Sequence, residues 1–484
     1  MTFVSELEPR ALWAHFDRIL ATPRPSKQEG AMRAYVLEVA NRRGLVHRAD
    51  AAGNVVVEVP GRGRLAHGRK IALQAHLDMV CEKDSGVAID FEKDPIVPRR
   101  EGDWLYATGT TLGSDNGIGV AAMLAVAESD DLAHGPLELL FTIDEETGLT
   151  GARDLAPGML TAGTLVNLDT EEEGALYVGC AGGAGTDLVV PLDTMFGAAG
   201  RVALEVKLAG LKGGHSGVDI HLQRGNATQA LARILHALWP SYQFELVAIE
   251  GGNLHNAIPR EARAVVRVAP ADRDRFAADV EREAAAIAAE LAAVDPGLTV
   301  AVGPGEAPAE VWSDAAAQRV LALLTALPHG VLRMSDDIPG LVETSTNLAR
   351  VRTEGTTLKI HCSNRSSVAS SLTATQRKVG AFGELVGAEV TQLEGYPGWK
   401  PNLASPALAV LREAVTEVYG KEPEVKAIHA GLECGLIGEK VPGIDMISFG
   451  PQIEFPHSPG ERVGIPSVER FWKVLEVALA KLAG

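Results

Sequence analysis

Apolar runs that end in histidine or acidic residues recur along the first part of the chain. The runs KIALQAHLD, PLELLFTIDEE and TLVNLD each place such residues directly after a β-rich stretch, and an alanine-rich helical segment lies between the first two. Strands that alternate with helices predict a mainly parallel, doubly wound α/β sheet, in which ligands bind beyond the carboxyl ends of the strands. We therefore expect these polar clusters to meet at one edge of the sheet.

The length of the chain and a change of pattern along it predict two domains. A chain of 484 residues exceeds the roughly 250–300 residues that one hydrophobic core supports. From about residue 185 the pattern changes to β-α-β-β-α, closed by LTVAVG, which is typical of a split βαβ sandwich. The α/β pattern resumes near Trp399. We predict a catalytic domain made of residues 1–184 and 397–484, interrupted by an inserted α+β lid domain at 185–396.

Charge and hydropathy argue against several classes of partner. The 63 acidic and 45 basic residues give a formal net charge of −18, which repels nucleic-acid phosphates and anionic membranes. No apolar run reaches the roughly 18–20 residues of a spanning helix, and the first twenty residues do not resemble a secretory signal. The cysteines are widely spaced, unlike metal-site pairs or a disulfide framework: Cys81, Cys180, Cys362 and Cys434. We expect a soluble, cytoplasmic protein with free thiols that binds neither nucleic acid nor membrane.

Seven residues from the polar clusters are candidates for a metal site: His76, Asp78, Asp115, Glu145, Glu146, Asp169 and His457. Hydrolytic metal sites use imidazole and carboxylate ligands, and two-metal sites hold their ions roughly 3.5–4 Å apart, so that one carboxylate bridges them. His76 and Asp78 share one face of a strand end, which allows the aspartate to orient the imidazole through its other nitrogen. His457 lies in a proline-flanked loop after the last apolar strand, within reach of the same sheet edge.

Each motif taken alone has a simpler interpretation. His76 is then an unrelated histidine at a strand end, Asp115 a loop or helix-capping aspartate, and the Glu145–Glu146 pair a solvated surface feature. The position of Asp-Glu-Glu after a central apolar strand, and the repetition of this arrangement at Asp169, favour a functional site.

The motifs in combination resemble a known family. The segments LQAHLDMV, TLGSDNGIGVAAML, FTIDEETGLTGA, NLDTEEEG, KGGHSGVDI and PHSPGERV, in this order, are similar to the co-catalytic zinc peptidase family that includes carboxypeptidase G, aminoacylase and tripeptidase T. The resemblance spans nearly the whole chain and is strongest with a dipeptidase subgroup. It implies that His76 and Asp169 bind one zinc ion, that Glu146 and His457 bind the other, and that Asp115 bridges them. It also implies that Asp78 orients His76 and that Glu145 is the general base.

The same resemblance implies substrate contacts in the lid. His215 in GGHSG resembles the histidine that family members bring over the site, often from the partner subunit, to stabilise the oxyanion; a loop histidine between flexible glycines is the alternative. Asn256 and Arg365 resemble substrate-binding positions, and a guanidinium suits a terminal carboxylate. The GLECG motif at Gly431–Gly435 also resembles the dipeptidase subgroup, with no physical role deduced for it. A homodimer through the lid is expected.

Together these features predict metal-dependent hydrolysis of unblocked dipeptides, with histidine preferred at the C-terminal position. Two zinc ions are expected per chain, although manganese or cobalt accepts similar ligands. The acidic run Glu171–Glu173 either favours the substrate ammonium group or is a solvated loop. A tripeptidase, aminoacylase or carboxypeptidase would share the metal centre, and Asp rather than Glu at position 169 speaks against an aminoacylase. A non-catalytic peptide-binding protein would share the fold, but the presence of Glu145 and every expected ligand speaks against it.

Overall fold

The structure is a computed structural model that describes residues 2–484. The chain divides into two compact units. The first unit contains the chain up to Cys180 together with Trp399–Ala427 and Leu432–Gly484, and the second contains Ala181–Gly398 and Ile428–Gly431. That the second unit acts as a lid or a dimerisation domain stays a prediction.

The helices longer than one 3-10 turn are α1 (Arg10–Leu20), α2 (Gly30–Arg42), α3 (Ser114–Glu128), α4 (Glu145–Gly148), α5 (Thr150–Arg153), α6 (Ala227–Tyr242), α7 (Arg273–Leu291), α8 (Asp314–Ala326), α9 (Ala369–Leu385), α10 (Pro406–Tyr419), α11 (Glu433–Lys440) and α12 (Ile465–Ala483).

The strands are β1 (Val46–Ala49), β2 (Val55–Val59), β3 (Ile71–His76), β4 (Pro98–Glu101), β5 (Trp104–Ala107), β6 (Leu137–Thr142), β7 (Thr164–Asn167), β8 (Ala175–Cys180), β9 (Gly182–Pro191), β10 (Thr194–Phe196), β11 (Val202–Ala209), β12 (Glu245–Gly251), β13 (Ala262–Val268), β14 (Thr299–Pro304), β15 (Glu310–Trp312), β16 (Gly330–Met334), β17 (Val342–Glu354), β18 (Thr357–Ser366), β19 (Glu389–Gln392), β20 (Glu424–Ile428), β21 (Asp445–Ser448), β22 (Ile453–Glu454) and β23 (Arg462–Gly464).

An eight-stranded sheet forms the centre of the first unit, in the order β1-β2-β6-β3-β7-β21-β8-β20. The neighbours β6, β3, β7 and β21 are mutually parallel, whereas β1 and β2 are antiparallel to the adjoining strands. Every residue of β3 and β6 is buried, as expected for interior parallel strands that are covered on both faces. The predicted α/β class with a mainly parallel core is confirmed.

The sheet topology explains where the polar clusters lie. His76 is the last residue of β3, Glu145 follows the end of β6 by three positions, and Asp169 follows the end of β7 by two. Helix α3 is apolar and buried along nearly its whole length and contacts β3, as does α12. The carboxyl ends of parallel neighbours meet at one edge, so three of the motifs reach the same place.

A nine-stranded sheet forms the second unit. Its main order is β14-β11-β13-β12-β17-β18-β9-β19, with β16 paired to β17, and all the pairings are antiparallel. Helices α6 to α9 belong to this unit, and α6 begins at a cap in which the Asn226 side chain accepts the N–H groups of Thr228 and Gln229. Trp239, Phe244 and Phe276 pack edge to face in its core.

Two expectations about the whole chain are addressed by the coordinates. All four cysteines are free thiols, as predicted. Within residues 2–484, no helix has the length and apolarity needed to cross a membrane.

Candidate active site

Asp115 presents one carboxylate oxygen to each of two histidines. Its Oδ1 lies 3.1 Å from His76 Nε2, and its Oδ2 lies 3.2 Å from His457 Nε2. His76 Nε2 is also 3.3 Å from Asp169 Oδ1, and His457 Nε2 is 3.1 Å from Glu146 Oε2. Each histidine therefore faces two carboxylate oxygens, and Asp115 is shared between the two groups.

Unusual backbone conformations place two of these side chains. His457 has φ 59° and Asp144, directly before Glu145, has φ 49°. Left-handed dihedral angles are uncommon outside glycine and concentrate at functional sites, because the surrounding structure must compensate for their cost. They turn the chain sharply just after the strands. The His457 side chain keeps 52% of its surface exposed, whereas that of His76 keeps 1%.

Asp78 connects the end of β3 with the start of α4. Its Oδ1 lies 3.3 Å from His76 Nδ1 and accepts the backbone N–H of Glu145 at 3.1 Å, and its Oδ2 accepts the backbone N–H of Glu146 at 3.2 Å. The Ser26 hydroxyl donates to Oδ2 at 2.7 Å. Asp78 thus fixes the imidazole of His76 from behind and also places the two glutamates that follow β6.

The donor set fits divalent metal ions. Five carboxylates (Asp78, Asp115, Glu145, Glu146 and Asp169) surround two imidazoles, and across residues 2–484 none of the five forms an ion pair with lysine or arginine. Glu146 Oε1 is buried without a hydrogen-bond partner. Tetrahedral ligands with bonds of about 2.0 Å lie about 3.3 Å apart, close to the spacings measured around Asp115. One ligand atom each from His76, Asp115 and Glu146 lies within 4.8 Å of the others.

The electrostatics of the protein groups alone show the excess of negative charge. Burial and neighbouring carboxylates raise the pKa of Asp169 to about 6, against the influence of His76. Burial raises the pKa of Glu171 to about 9, to which the charges of Asp115 and Asp169 add. Hydrogen bonds to Asp115 and Glu146 raise the pKa of His457 to about 11. Bound cations reverse this pattern, since they favour ionised carboxylates and neutral imidazoles.

Glu145 differs from its neighbours in having no assigned contact for its carboxylate. Its backbone N–H donates to Asp78, but within residues 2–484 its carboxylate takes part in no hydrogen bond or ion pair. Burial raises its pKa well above the ordinary value, with Asp169 and Glu146 adding to the shift and His76 opposing it. A free carboxylate beside the ligand cluster has the character of a proton acceptor.

A second polar cluster lies in the second unit. Arg365 is only 6% exposed, donates from Nη1 to the Tyr396 hydroxyl at 3.0 Å, and has a buried Nε without a partner. Its Nη2 lies 3.5 Å from His215 Nε2. In the part of the chain that the structure describes, no carboxylate pairs with this guanidinium.

The hydrogen bonds of His215 define its tautomer. Its Nδ1 accepts the backbone N–H groups of Gly217 and Val218, each at 3.2 Å, so the proton of the neutral ring is on Nε2. Burial and the charge of Arg365 lower the pKa of His215 to about 4, which keeps the ring neutral. Asn256 lies beside this residue, because its carbonyl accepts the N–H of Ser216 at 2.7 Å.

Residue-by-residue reading of the motifs missed three buried side chains near the metal cluster: Arg24, Glu433 and Glu461. Glu433 belongs to the GLECG motif and accepts from Gln74 Nε2 at 2.5 Å and from the Thr142 hydroxyl at 2.7 Å. Gln74 in turn accepts from Asn167 Nδ2 at 2.6 Å. This polar row joins the ends of β3, β6 and β7 under the site, and burial raises the pKa of Glu433 to about 8. The motif itself was the available signal.

The family assignment follows from comparison with known proteins. The model of peptidase family M20/M25/M40 matches residues 72–481. The chain belongs to peptidase family M20/M25/M40. The cytosol non-specific dipeptidase of Escherichia coli (strain K12) is 39% identical to this M20-family peptidase over 488 aligned residues, which cover 100% of this chain and 99% of the relative. The predicted family and the predicted enzyme class are confirmed.

Solved structures agree with this assignment. The crystal structure of aminoacylhistidine dipeptidase from Vibrio alginolyticus matches this M20-family peptidase with a TM-score of 0.92 and 40% identity, covering 99% of this chain and 98% of that one. A tripeptidase from Staphylococcus aureus matches with a TM-score of 0.61 and 15% identity, covering 99% of each chain. The first similarity extends to sequence and fold, whereas the second shows the fold alone.

Proposed function

We propose that this M20-family peptidase hydrolyses unblocked dipeptides with the help of two divalent metal ions. The observation that carries the proposal is the shared position of Asp115, which faces His76 with one oxygen and His457 with the other. In this proposal His76 and Asp169 hold one ion, Glu146 and His457 hold the other, and Asp115 bridges them. Zinc suits this donor set best, and manganese or cobalt accepts the same ligands.

Glu145 supplies the proton transfer in this proposal. Bound divalent ions supply Lewis acidity, which polarises an amide carbonyl and lowers the pKa of water. The Glu145 carboxylate accepts a proton from the attacking water and returns it to the leaving amine. Asp78 holds the Glu145 backbone in place while it does so. Proton transfer by a positioned carboxylate contributes roughly 10²–10⁴-fold to a rate.

The donors of the second unit support recognition of a terminal carboxylate. His215 Nε2 and Arg365 Nη2 are both donors, yet they lie 3.5 Å apart with no acceptor assigned to either group among the described residues. An oxygen with negative charge satisfies both groups. We assign Arg365 to the substrate carboxylate, His215 to the oxyanion that forms at the scissile carbonyl, and Asn256 to the substrate backbone.

The acidic run Glu171–Glu173 narrows to one candidate for the substrate ammonium group. Glu172 accepts from Tyr177 at 2.9 Å and pairs with Lys426, and Glu173 accepts from Tyr419 at 3.1 Å and pairs with Arg470. Glu171 forms no ion pair with lysine or arginine among the described residues. Its carboxylate is therefore the member of the run that remains for a cationic ligand.

A site that holds both charged ends of its substrate selects for length. One more residue adds roughly 3.3–3.6 Å of extended chain, which moves the scissile bond away from the catalytic groups. Longer peptides are therefore expected to be poor substrates. A preference for histidine at the C-terminal position is supported by the similarity to the aminoacylhistidine dipeptidase and not by a pocket described here.

A substrate panel under one metal condition tests the proposal. Alanyl-histidine, β-alanyl-histidine, alanyl-alanine, N-acetyl-alanine and trialanine are compared with zinc-loaded, cobalt-loaded and chelated protein. We expect the dipeptides to be cleaved fastest and chelation to abolish turnover. Faster cleavage of N-acetyl-alanine or trialanine than of every dipeptide contradicts the dipeptidase proposal. Equal rates for alanyl-alanine and alanyl-histidine remove only the histidine preference.

We further propose that the chain acts as a cytoplasmic homodimer assembled through the second unit, with His215 acting on the site of the partner subunit. The location is supported by the name of the Escherichia coli relative. Mixing inactive His215→Ala and Glu145→Gln proteins tests the arrangement after subunit exchange is verified. Activity in trans restores one intact site in each mixed dimer, whereas action within one chain restores none.

A further inference from the structure

The Glu461 carboxylate is surrounded by donors from a single turn. It is 2% exposed and lies four positions after His457. Its Oε2 accepts the backbone N–H groups of Leu112 at 2.7 Å and Gly113 at 2.9 Å. Its Oε1 accepts the backbone N–H of Ser114 at 2.7 Å and the Ser114 hydroxyl at 2.6 Å. Both oxygens are used, so Glu461 is not available as a ligand or a base.

The fifth donor is the bridging residue itself. The backbone N–H of Asp115 lies 3.3 Å from Glu461 Oε1. Asp115 and Asn116 depart from helical dihedral angles inside α3, so the helix does not fix the position of Asp115. The contacts of the preceding turn therefore decide where its two oxygens point.

Arg24 holds the same turn through its carbonyl side. It is buried and donates from Nη1 to the carbonyls of Leu77 at 3.0 Å and Asp78 at 2.6 Å, and from Nη2 to the carbonyl of Gly113. A Cβ atom at Gly113 would lie 2.5 Å from Arg24 Nη2, and one at Gly117 would lie 2.9 Å from it. Glycine at these positions thus makes room for the guanidinium. Arg24 joins the turn to the segment that follows His76.

We propose that Glu461 and Arg24 are positioning residues that fix the Leu112–Asp115 turn so that Asp115 bridges two metal ions, a role that rests on the two-metal function proposed above. Burying a carboxylate and a guanidinium is costly, and the pair is only weak support for stability. Its value is geometric. Glu461 also connects the turn to the loop of His457, so one side chain sets the relative position of a bridging and a terminal ligand.

Glu138 provides a matched control for a purely structural role. It is also buried and accepts the backbone N–H groups of Thr161 at 2.8 Å and Ala162 at 3.0 Å and the Thr161 hydroxyl at 2.7 Å. It lies near the amino end of β6, at the other end of the strand from Glu145. Replacement by glutamine removes the charge and puts an amide N–H₂ group against N–H donors at either position.

The experiment compares the full-length parent protein with Glu461→Gln and Glu138→Gln. Metal-free samples are titrated with Co²⁺ by calorimetry, the visible spectrum is recorded after each equivalent, and the melting temperature is measured. For Glu461→Gln we expect the second Co²⁺ to bind roughly 10- to 100-fold more weakly, the range seen when groups that orient ligands are changed, together with an altered spectrum. Glu138→Gln is expected to melt at a lower temperature with both affinities and the spectrum unchanged.

Arg24→Lys gives a second route if Glu461→Gln does not fold. A single ammonium group cannot reach carbonyls on both segments, so the same weakening of the second site is expected. The proposal is overturned if a folded variant binds both Co²⁺ ions with parental affinity and spectrum, even at a lower melting temperature. A parent protein that binds a single Co²⁺ instead overturns the two-metal function, and the bridging role with it.

Discussion

The Asp78 carboxylate accepts the backbone N–H of Glu145 at 3.1 Å. The same carboxylate lies 3.3 Å from His76 Nδ1, so it orients an expected ligand and an expected base together. We expect Asp78→Ala to weaken metal binding roughly 10- to 100-fold and to reduce turnover further even at saturating metal, because Glu145 loses its anchor. Metal titration and steady-state kinetics at saturating zinc separate the two effects. Full recovery of turnover by added metal contradicts the second effect.

Glu145→Gln tests the proton transfer. The amide keeps the size of the side chain but cannot accept a proton from water. We expect turnover to fall by at least ~10²-fold, while two metal ions per chain remain bound. Elemental analysis of the dialysed protein supplies the metal count alongside the kinetics. Retained turnover means that another group is the base.

Arg365→Gln tests the recognition of the substrate carboxylate. A hydrogen bond to a charged group contributes about 1.5–3 kcal/mol, so kcat/KM for a free dipeptide should fall about 10- to 100-fold. The preference for the free acid over its C-terminal amide should narrow by a similar factor. Arg263→Gln is the control, because Arg263 pairs with Glu250 at the surface of the same unit. An unchanged preference in Arg365→Gln places the carboxylate elsewhere.

His429 makes the stability of the protein depend on pH. It is buried and its Nε2 lies 2.7 Å from the Ser345 hydroxyl, and burial, together with the charge of Arg365, lowers its pKa to about 3. An unfolded chain binds this proton below about pH 6.5 while the folded protein does not. The contribution of neutral His429 is therefore fully present above that pH and is lost as the pH falls.

The measurement is the difference in the free energy of unfolding between the parent protein and His429→Gln. Relative to the variant, the parent should lose about 2 kcal/mol between pH 7.5 and pH 5. The comparison cancels other histidines that titrate in both proteins. Parallel pH dependences contradict the assignment.

The sequence was informative where chemistry follows directly after a buried strand. His76 ends an apolar run, and Asp169 follows another by two residues, so both could be placed at one sheet edge from the pattern alone. Glu461 was not predictable in this way, because its partners lie 346 to 349 positions away and are mainly backbone groups. Arg24 likewise contacts carbonyls, which leave no mark in a side-chain motif.

The acidic run after Asp169 shows the same limit. In the sequence Glu171, Glu172 and Glu173 are equivalent. Their different surroundings come from Lys426 and Arg470, which are distant in the chain and pair with the second and third members. Only the folded structure separates the glutamate that stays free of a basic partner from the two that do not.

The interior position of β21 has a consequence for biosynthesis. This strand lies between β7 and β8 in the sheet although it follows them by more than two hundred residues. Chains emerge from the ribosome amino end first, at roughly 5–20 residues per second, so β7 waits with an open edge until β21 is made. The second unit is synthesised during that interval. His457 emerges later still, which makes acquisition of the complete metal centre one of the last events in the maturation of each chain.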